Sequence, residues 1–126
     1  MRKSLKITSL LLLASFVMTA CGTSRIYNIP VTKIHAKSSS ETVYRAIRDA
    51  GVSLGWKITK IKPGLAEGKL ALRSHVAVVR ISYNKSSYSI RYVRSTNLKY
   101  NQKRQTIHSN YNGWIKNLEK AIDTRL

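Results

Sequence analysis

The sequence predicts an α+β domain in which two helices pack on one face of a four-stranded antiparallel meander. Apolar residues recur at helical spacing near residues 43–54 and 111–122, and between these segments the spacing changes to every second residue. One helix, several strands and a second helix, in that order, indicate strands joined by hairpins. We expect residues 26–126 to form a single domain, since this length suits one hydrophobic core.

Each helix is predicted from a capping residue and an apolar stripe. Ser38 and Glu41 have capping-box spacing and should begin the first helix, which continues to Gly55. Its apolar residues are Val43, Ala46, Ile47, Ala50 and Leu54. Asn110 is a plausible cap for the second helix. The stripe of that helix consists of Tyr111, Trp114, Ile115, Leu118 and Ile122.

The strands are predicted from alternation and turn residues. Residues 26–35 contain Pro30 and should form at most a short edge strand. The four meander strands are expected at residues 56–62, 69–73, 75–83 and 88–95. The turns between them are Pro63-Gly64, Arg73-Ser74 and residues 84–87, and Gly68 is assigned to the first turn. A polar stretch, residues 96–110, leads to the second helix.

Pairing Tyr83 with Tyr88 would place Ile81 opposite Ile90 and Val79 opposite Tyr92 on one side of the sheet. The helices should cover this side, which Trp56, Ile58, Leu70 and Leu72 are expected to join. The other side would present basic residues and should be open, because two helices cover only one face. Its expected residues are Lys57, Lys69, Arg73, Arg80 and Arg91.

The basic side predicts an anion-binding site formed by Lys69, Arg73, Arg80 and Arg91. Arg80 directly opposite Arg91 is unfavourable by up to ~1 kcal/mol unless a bound anion offsets the repulsion. Guanidinium groups suit a phosphate of lipid A or of a phospholipid, or a carboxylate of peptidoglycan. The simpler alternative, which we favour for this pair alone, is that both side chains extend into screened solvent.

The amino terminus carries an export pattern. Arg2, Lys3 and Lys6 precede an apolar run that is too short to span a bilayer, and Thr19-Ala20 stands directly before Cys21. This pattern resembles the bacterial lipobox, with Met18 where leucine is usual. The resemblance implies a cleaved signal peptide at residues 1–20, acyl groups such as palmitate on Cys21, and a lipidated tether at residues 21–25.

The resemblance also implies a location in the cell. Gly22 stands where an aspartate would favour the inner membrane, so we expect a lipid anchor in the outer membrane, on its periplasmic side. The alternative is an ordinary cleaved signal that leaves Cys21 unmodified. Since Cys21 is the only cysteine, no intramolecular disulfide can form.

Charge limits the class of partner. Removing Arg2, Lys3 and Lys6 from the 23 basic residues leaves 20 against five acidic ones, a formal net charge of +15. Such a domain attracts anionic membranes and polyanions, including lipopolysaccharide and peptidoglycan. The alternative is a general bias of the source proteome towards lysine and arginine. Nucleic acid is not expected as a partner, because no recognised binding motif is present.

Residue types that carry catalysis are sparse and scattered. The five acidic residues give no basis for a paired-carboxylate site, and no serine stands in a nucleophile elbow. His35, His75 and His108 lack neighbours at ligand spacing, so neither a metal nor another cofactor is expected. The sequence therefore predicts a protein that is not an enzyme.

A string late in the chain combines Ser95, Asn97, Leu98 and Tyr100 with Ile107-His108, Tyr111-Asn112 and Trp114-Ile115. Together with Gly55-Trp56 it resembles a family of small, largely uncharacterised proteobacterial lipoproteins, from about residue 40 onward. That family implies no established reaction, cofactor or ligand. The residues themselves suggest either packing and capping alone or a polar pocket with His108 and Tyr111 at its rim.

These features predict a lipid-anchored cell-envelope lipoprotein that binds rather than catalyses, with an anionic envelope component docked on its basic face. The alternative is a structural subunit of a periplasmic or outer-membrane assembly, in which the same surfaces contact another envelope protein.

Overall fold

The computed structural model describes residues 22–36 and 38–126, so the predicted signal peptide and Cys21 lie outside the described residues. Helix α1 comprises Ser40–Ser53 and helix α2 comprises Ser109–Asp123. The strands are β1 Thr23–Arg25, β2 Ile29–Lys33, β3 Lys57–Lys62, β4 Leu65–Leu72, β5 His75–Tyr83, β6 Ser87–Thr96 and β7 Thr106–His108.

Strands β3 to β6 form the predicted antiparallel meander, and β2 joins it at the outer edge of β6. The resulting sheet has five strands in the order β2-β6-β5-β4-β3. The α+β class is therefore confirmed, with an edge strand in the region that contains Pro30. The predicted pairing of Tyr83 with Tyr88 is also confirmed.

Strand β4 begins at Leu65, four residues earlier than predicted, and Gly68 lies inside it rather than in a turn. A Cβ atom on Gly68 would stand 3.0 Å from Val79 Cγ2 and 3.3 Å from Trp56 Cε3. The absence of a side chain at Gly68 therefore lets Val79 and Trp56 pack closely against the backbone of β4.

A second, two-stranded sheet pairs β1 with β7. Thr23 lies opposite His108 and Arg25 opposite Thr106, while the Ile26 amide donates to the Gln105 carbonyl at 2.9 Å. We expected a tether up to residue 25 and a polar loop at residues 96–110. Both expectations are corrected, because residues 23–25 and 106–108 pair as strands.

Both helices pack on the same side of the larger sheet. Their buried stripes meet Ala77, Val79 and Ile81 of β5 and Tyr88 and Ile90 of β6. The polar stretch also supplies two buried side chains, Leu98 and Ile107. None of the helices in the described part of the chain is long and apolar enough to cross a membrane.

The caps and one core residue differ from prediction. Ser39, not Ser38, caps α1 by accepting from the Thr42 amide at 3.1 Å, and His108 Nδ1 caps α2 by accepting from the Asn110 amide at 3.1 Å. Leu72 does not join the core and is 47% exposed, because it pairs with His75 at the end of the β4–β5 hairpin.

Candidate anion-binding face

The side of the large sheet away from the helices carries two adjacent cross-strand rows. In the first, Lys57 lies opposite Lys69, Lys69 opposite Val78, and Val78 opposite Arg94. In the second row the order is Thr59, Glu67, Arg80 and Arg91. We call these two rows the basic face. All five cationic side chains on it are exposed.

The predicted opposition of Arg80 and Arg91 is confirmed, and Glu67 on β4 is directly opposite Arg80 on its other side. Glu67 therefore offsets part of the repulsion between the two arginines. A second pair of like charges, Lys57 and Lys69, lies in the neighbouring row. The basic face thus concentrates five cations around one carboxylate.

The ion pairs among the described residues lie elsewhere. Glu41 pairs with Lys60 at 2.8 Å and with Arg45 at 3.9 Å, and Asp49 pairs with Arg48 at 3.2 Å. The hydrogen bond from Lys60 lowers the pKa of Glu41. Within the described part of the chain, the cations of the basic face have no carboxylate oxygen within 4.0 Å.

Val78 is buried although it lies on the basic face. Its cross-strand neighbours are Lys69 and Arg94, whose aliphatic stems can cover it while the charged groups stay in water. A ligand on this face would therefore contact the side chains around Val78 rather than Val78 itself.

Arg73 is not part of this face. It lies in the two-residue turn between β4 and β5 and has a positive φ of 56°. Arg94 takes its place, because a bulge between Val78 and Val79 shifts the β6 register by one residue. Strict alternation from Tyr92 would have put Arg94 on the covered side, so sequence reasoning missed it.

The second predicted site, with His108 and Tyr111 at its rim, differs from the prediction at Tyr111. Tyr111 is fully buried, and its ring meets Tyr92 edge-on at 5.7 Å. Its hydroxyl has no hydrogen-bond partner among the described residues, and burial raises the pKa of Tyr111 above its usual range. His108 is half-buried and acts as the α2 cap. These two residues therefore serve packing and capping.

The asparagines near this region attach other segments to α2 and to the hairpin turn. Asn112 Oδ1 accepts from the Tyr27 amide at 2.9 Å, and Asn112 Nδ2 donates to the Arg25 carbonyl at 2.8 Å. Asn97 Nδ2 donates to Ser74 Oγ at 2.8 Å. Asn112 therefore attaches the end of β1 and the residues that follow it to α2.

Two histidines that are distant in sequence lie close together in space. The rings of His75 and His108 are 6.2 Å apart, and the Trp114 ring is 6.4 Å from His75. His75 Nδ1 is 2.7 Å from the Asn97 carbonyl oxygen. No group of three histidine, cysteine or carboxylate residues suited to a metal occurs in the described ranges.

A cleft of about 340 Å³ lies at the other end of the sheet, between β2 and the carboxyl end of α2. In this cleft the Tyr88 hydroxyl donates to Asp123 Oδ1 at 2.5 Å. Burial and this carboxylate raise the pKa of Tyr88 well above its usual range. The basic face does not contribute to the cleft, so the two are separate features.

Comparison of the chain with protein-family models, with curated proteins and with solved structures gave no match. The geometry of the basic face is thus the main ground for a functional argument.

Proposed function

We propose that this protein is a lipid-anchored lipoprotein of the cell envelope, without catalytic activity, that docks an anionic envelope component on its basic face. The anchor is Cys21, and the location is the periplasmic side of the outer membrane. The docking residues are Lys69, Arg80 and Arg91, as inferred from the sequence, together with Lys57 and Arg94.

The observation that carries the proposal is the excess positive charge of the basic face, on which five cations surround the single carboxylate of Glu67. Two pairs of like charges stand directly opposite each other, Lys57 with Lys69 and Arg80 with Arg91, in a sheet whose other side is covered. Each such pair lowers the stability of the sheet by a few tenths of a kcal/mol up to ~1 kcal/mol. A bound phosphate or carboxylate group would remove this cost and gain charge-assisted hydrogen bonds.

The proposed docking is tested by measuring binding of the protein to lipopolysaccharide, to anionic vesicles and to soluble peptidoglycan fragments over a range of salt concentrations. Affinity for at least one probe should fall steeply with salt, since exposed charges are screened. Arg80→Gln with Arg91→Gln should weaken that binding. The matched control, Lys103→Gln with Arg104→Gln, removes the same charge from the loop before β7 and should bind like the parent.

The proposed anchor is tested separately with Cys21→Ser. If Cys21 carries the acyl groups, the serine variant should leave the membrane fraction, while the parent stays there after a salt wash. Retention of the variant would contradict the anchor but not the docking face.

A structural role in an envelope assembly is the second candidate. Val31 on β2 and Ile61 on β3 are large apolar side chains exposed on the two edge strands of the sheet. Edge strands with exposed apolar residues can pair with another chain. A protein partner that stays bound at high salt would favour this function over anion docking.

A further inference from the structure

The amino-terminal end of the described chain is fixed to the domain by hydrogen bonds. The Gly22 carbonyl accepts from the Ser109 amide at 2.9 Å and also from Ser109 Oγ. Ser24 Oγ lies 2.9 Å from the same Ser109 hydroxyl, and residues 23–25 pair with β7. Gly22 therefore has a defined place at the start of α2, with no flexible linker after it.

That place is at the end of the large sheet where β5 begins. Thr23 pairs with His108, the His108 amide donates to the Leu98 carbonyl at 2.8 Å, and the His108 ring is 6.2 Å from the ring of His75. His75 is the first residue of β5. We call this region the anchor end. It comprises Gly22, residues 72–75, residues 97–99 and His108.

The anchor end combines exposed apolar and cationic side chains on backbone segments that hydrogen bonds hold together. Leu72 is 47% exposed beside Arg73, and Lys99 is exposed on the adjacent loop. The Asn97 side chain donates to Ser74 Oγ, and His75 Nδ1 contacts the Asn97 carbonyl, so the hairpin turn and the loop are held together. Exposed apolar and cationic side chains at the same end of a domain are typical of contact with the headgroup region of a membrane.

We propose that the anchor end is a membrane-contact surface for anionic phospholipid headgroups, with Leu72 entering the headgroup region and Arg73 and Lys99 contacting phosphates. This inference rests on the proposed acylation of Cys21. One peptide bond joins Gly22 to Cys21, so the Cα atom of the residue that would carry the acyl groups is about 3.8 Å from the Cα atom of Gly22. The bilayer holding that acyl group must therefore lie next to the anchor end.

With the anchor end at the membrane, strand β5 begins near the bilayer and runs away from it. Arg80 lies five residues along β5 from His75, a distance of roughly 16 Å at ~3.3 Å per residue. Attraction to the phosphates of its own leaflet is largely screened at that height, since the Debye length is about 8 Å at physiological salt. The basic face is then directed sideways, towards an anionic component beside the domain.

The orientation is tested with the acylated full-length protein in vesicles of phosphatidylcholine and phosphatidylglycerol. Because Cys21 is the only native cysteine, Leu72→Cys, Lys85→Cys and Arg91→Cys each give one site for a fluorophore. Lipids spin-labelled at the headgroup should quench the fluorophore at position 72 strongly and those at 85 and 91 weakly.

Each outcome separates the two proposals. Equal or stronger quenching at position 91 in an acylated protein would mean that the domain lies flat on its basic face, which overturns the orientation and leaves the anchor intact. A mass spectrum without acyl groups on Cys21 would overturn the anchor and the orientation with it.

Charge variants test the contact with phosphates. Arg73→Gln with Lys99→Gln should lower the docking equilibrium, read from quenching at position 72, about 30-fold in phosphatidylglycerol vesicles, or roughly fivefold for each charge. Lys33→Gln with Lys85→Gln removes the same charge at the opposite end of the sheet and should change it little. Equal effects of the two double variants would contradict a specific role for Arg73 and Lys99.

Discussion

Replacing Tyr111 with phenylalanine should stabilise the domain. The Tyr111 side chain is fully buried, and its hydroxyl has no hydrogen-bond partner among the described residues. A buried polar group without a partner costs about 1–3 kcal/mol, so removing the hydroxyl should recover about 1 kcal/mol after allowance for the small void it leaves. For a domain of about 100 residues this raises the melting temperature by roughly 4–8 °C.

The matched control is Tyr88→Phe, which removes the same atom from another buried tyrosine. Its hydroxyl donates to Asp123 Oδ1 at 2.5 Å, so this change should lower the free energy of unfolding by about 1.5 kcal/mol. Urea denaturation followed by tryptophan fluorescence measures both variants. A loss of 1 kcal/mol or more in Tyr111→Phe would show that the Tyr111 hydroxyl has a favourable partner, and the reasoning would fail.

Three further predictions concern the core and pH. Leu118→Ala should cost about 2–5 kcal/mol, because Leu118 is fully buried in α2, and an unchanged thermal midpoint would remove α2 from the core. Gly68→Ala should lower the thermal midpoint, since its Cβ would meet Val79 at 3.0 Å, whereas Gly113→Ala has open space and should not. Burial raises the pKa of both Tyr88 and Tyr111 above the ordinary value of 10.0, so only the unfolded chain loses these protons near pH 10. The contribution of these two pKa shifts to the free energy of unfolding is complete below pH 10 and falls as the pH rises further. Urea titrations at pH 8 and pH 11 would detect the difference.

The meander was predictable because alternation and turn residues agree along β3 to β6. The turn after Tyr83 fixes the register, and the structure has Val79 opposite Tyr92, Ile81 opposite Ile90 and Arg80 opposite Arg91, as expected. Long hairpins repeat the same pattern many times, so a few deviating residues do not obscure them.

Other parts of the fold have no recognisable pattern in the amino-acid sequence. Strands β1 and β7 have three residues each, too few for alternation to be recognised, and they pair across most of the chain. The β6 bulge that brings Arg94 to the basic face depends on local backbone geometry rather than on residue type. The prediction misplaced Arg73 because the positive φ of this residue turns its side chain out of the sheet. Positive φ values are typical of glycine and asparagine, so an arginine gave no sign of this conformation.

The attachment of β1 also sets an order of folding. The partners of Ser24, Arg25 and Tyr27 are Ser109 and Asn112, which follow them by 85 to 87 residues in the chain. A contact between such distant residues closes a long loop and forms late, after the local hairpins. We expect the amino-terminal strand to dock last, once α2 is in place. Until then residues 22–27 lack their hydrogen-bond partners on α2, and docking supplies them.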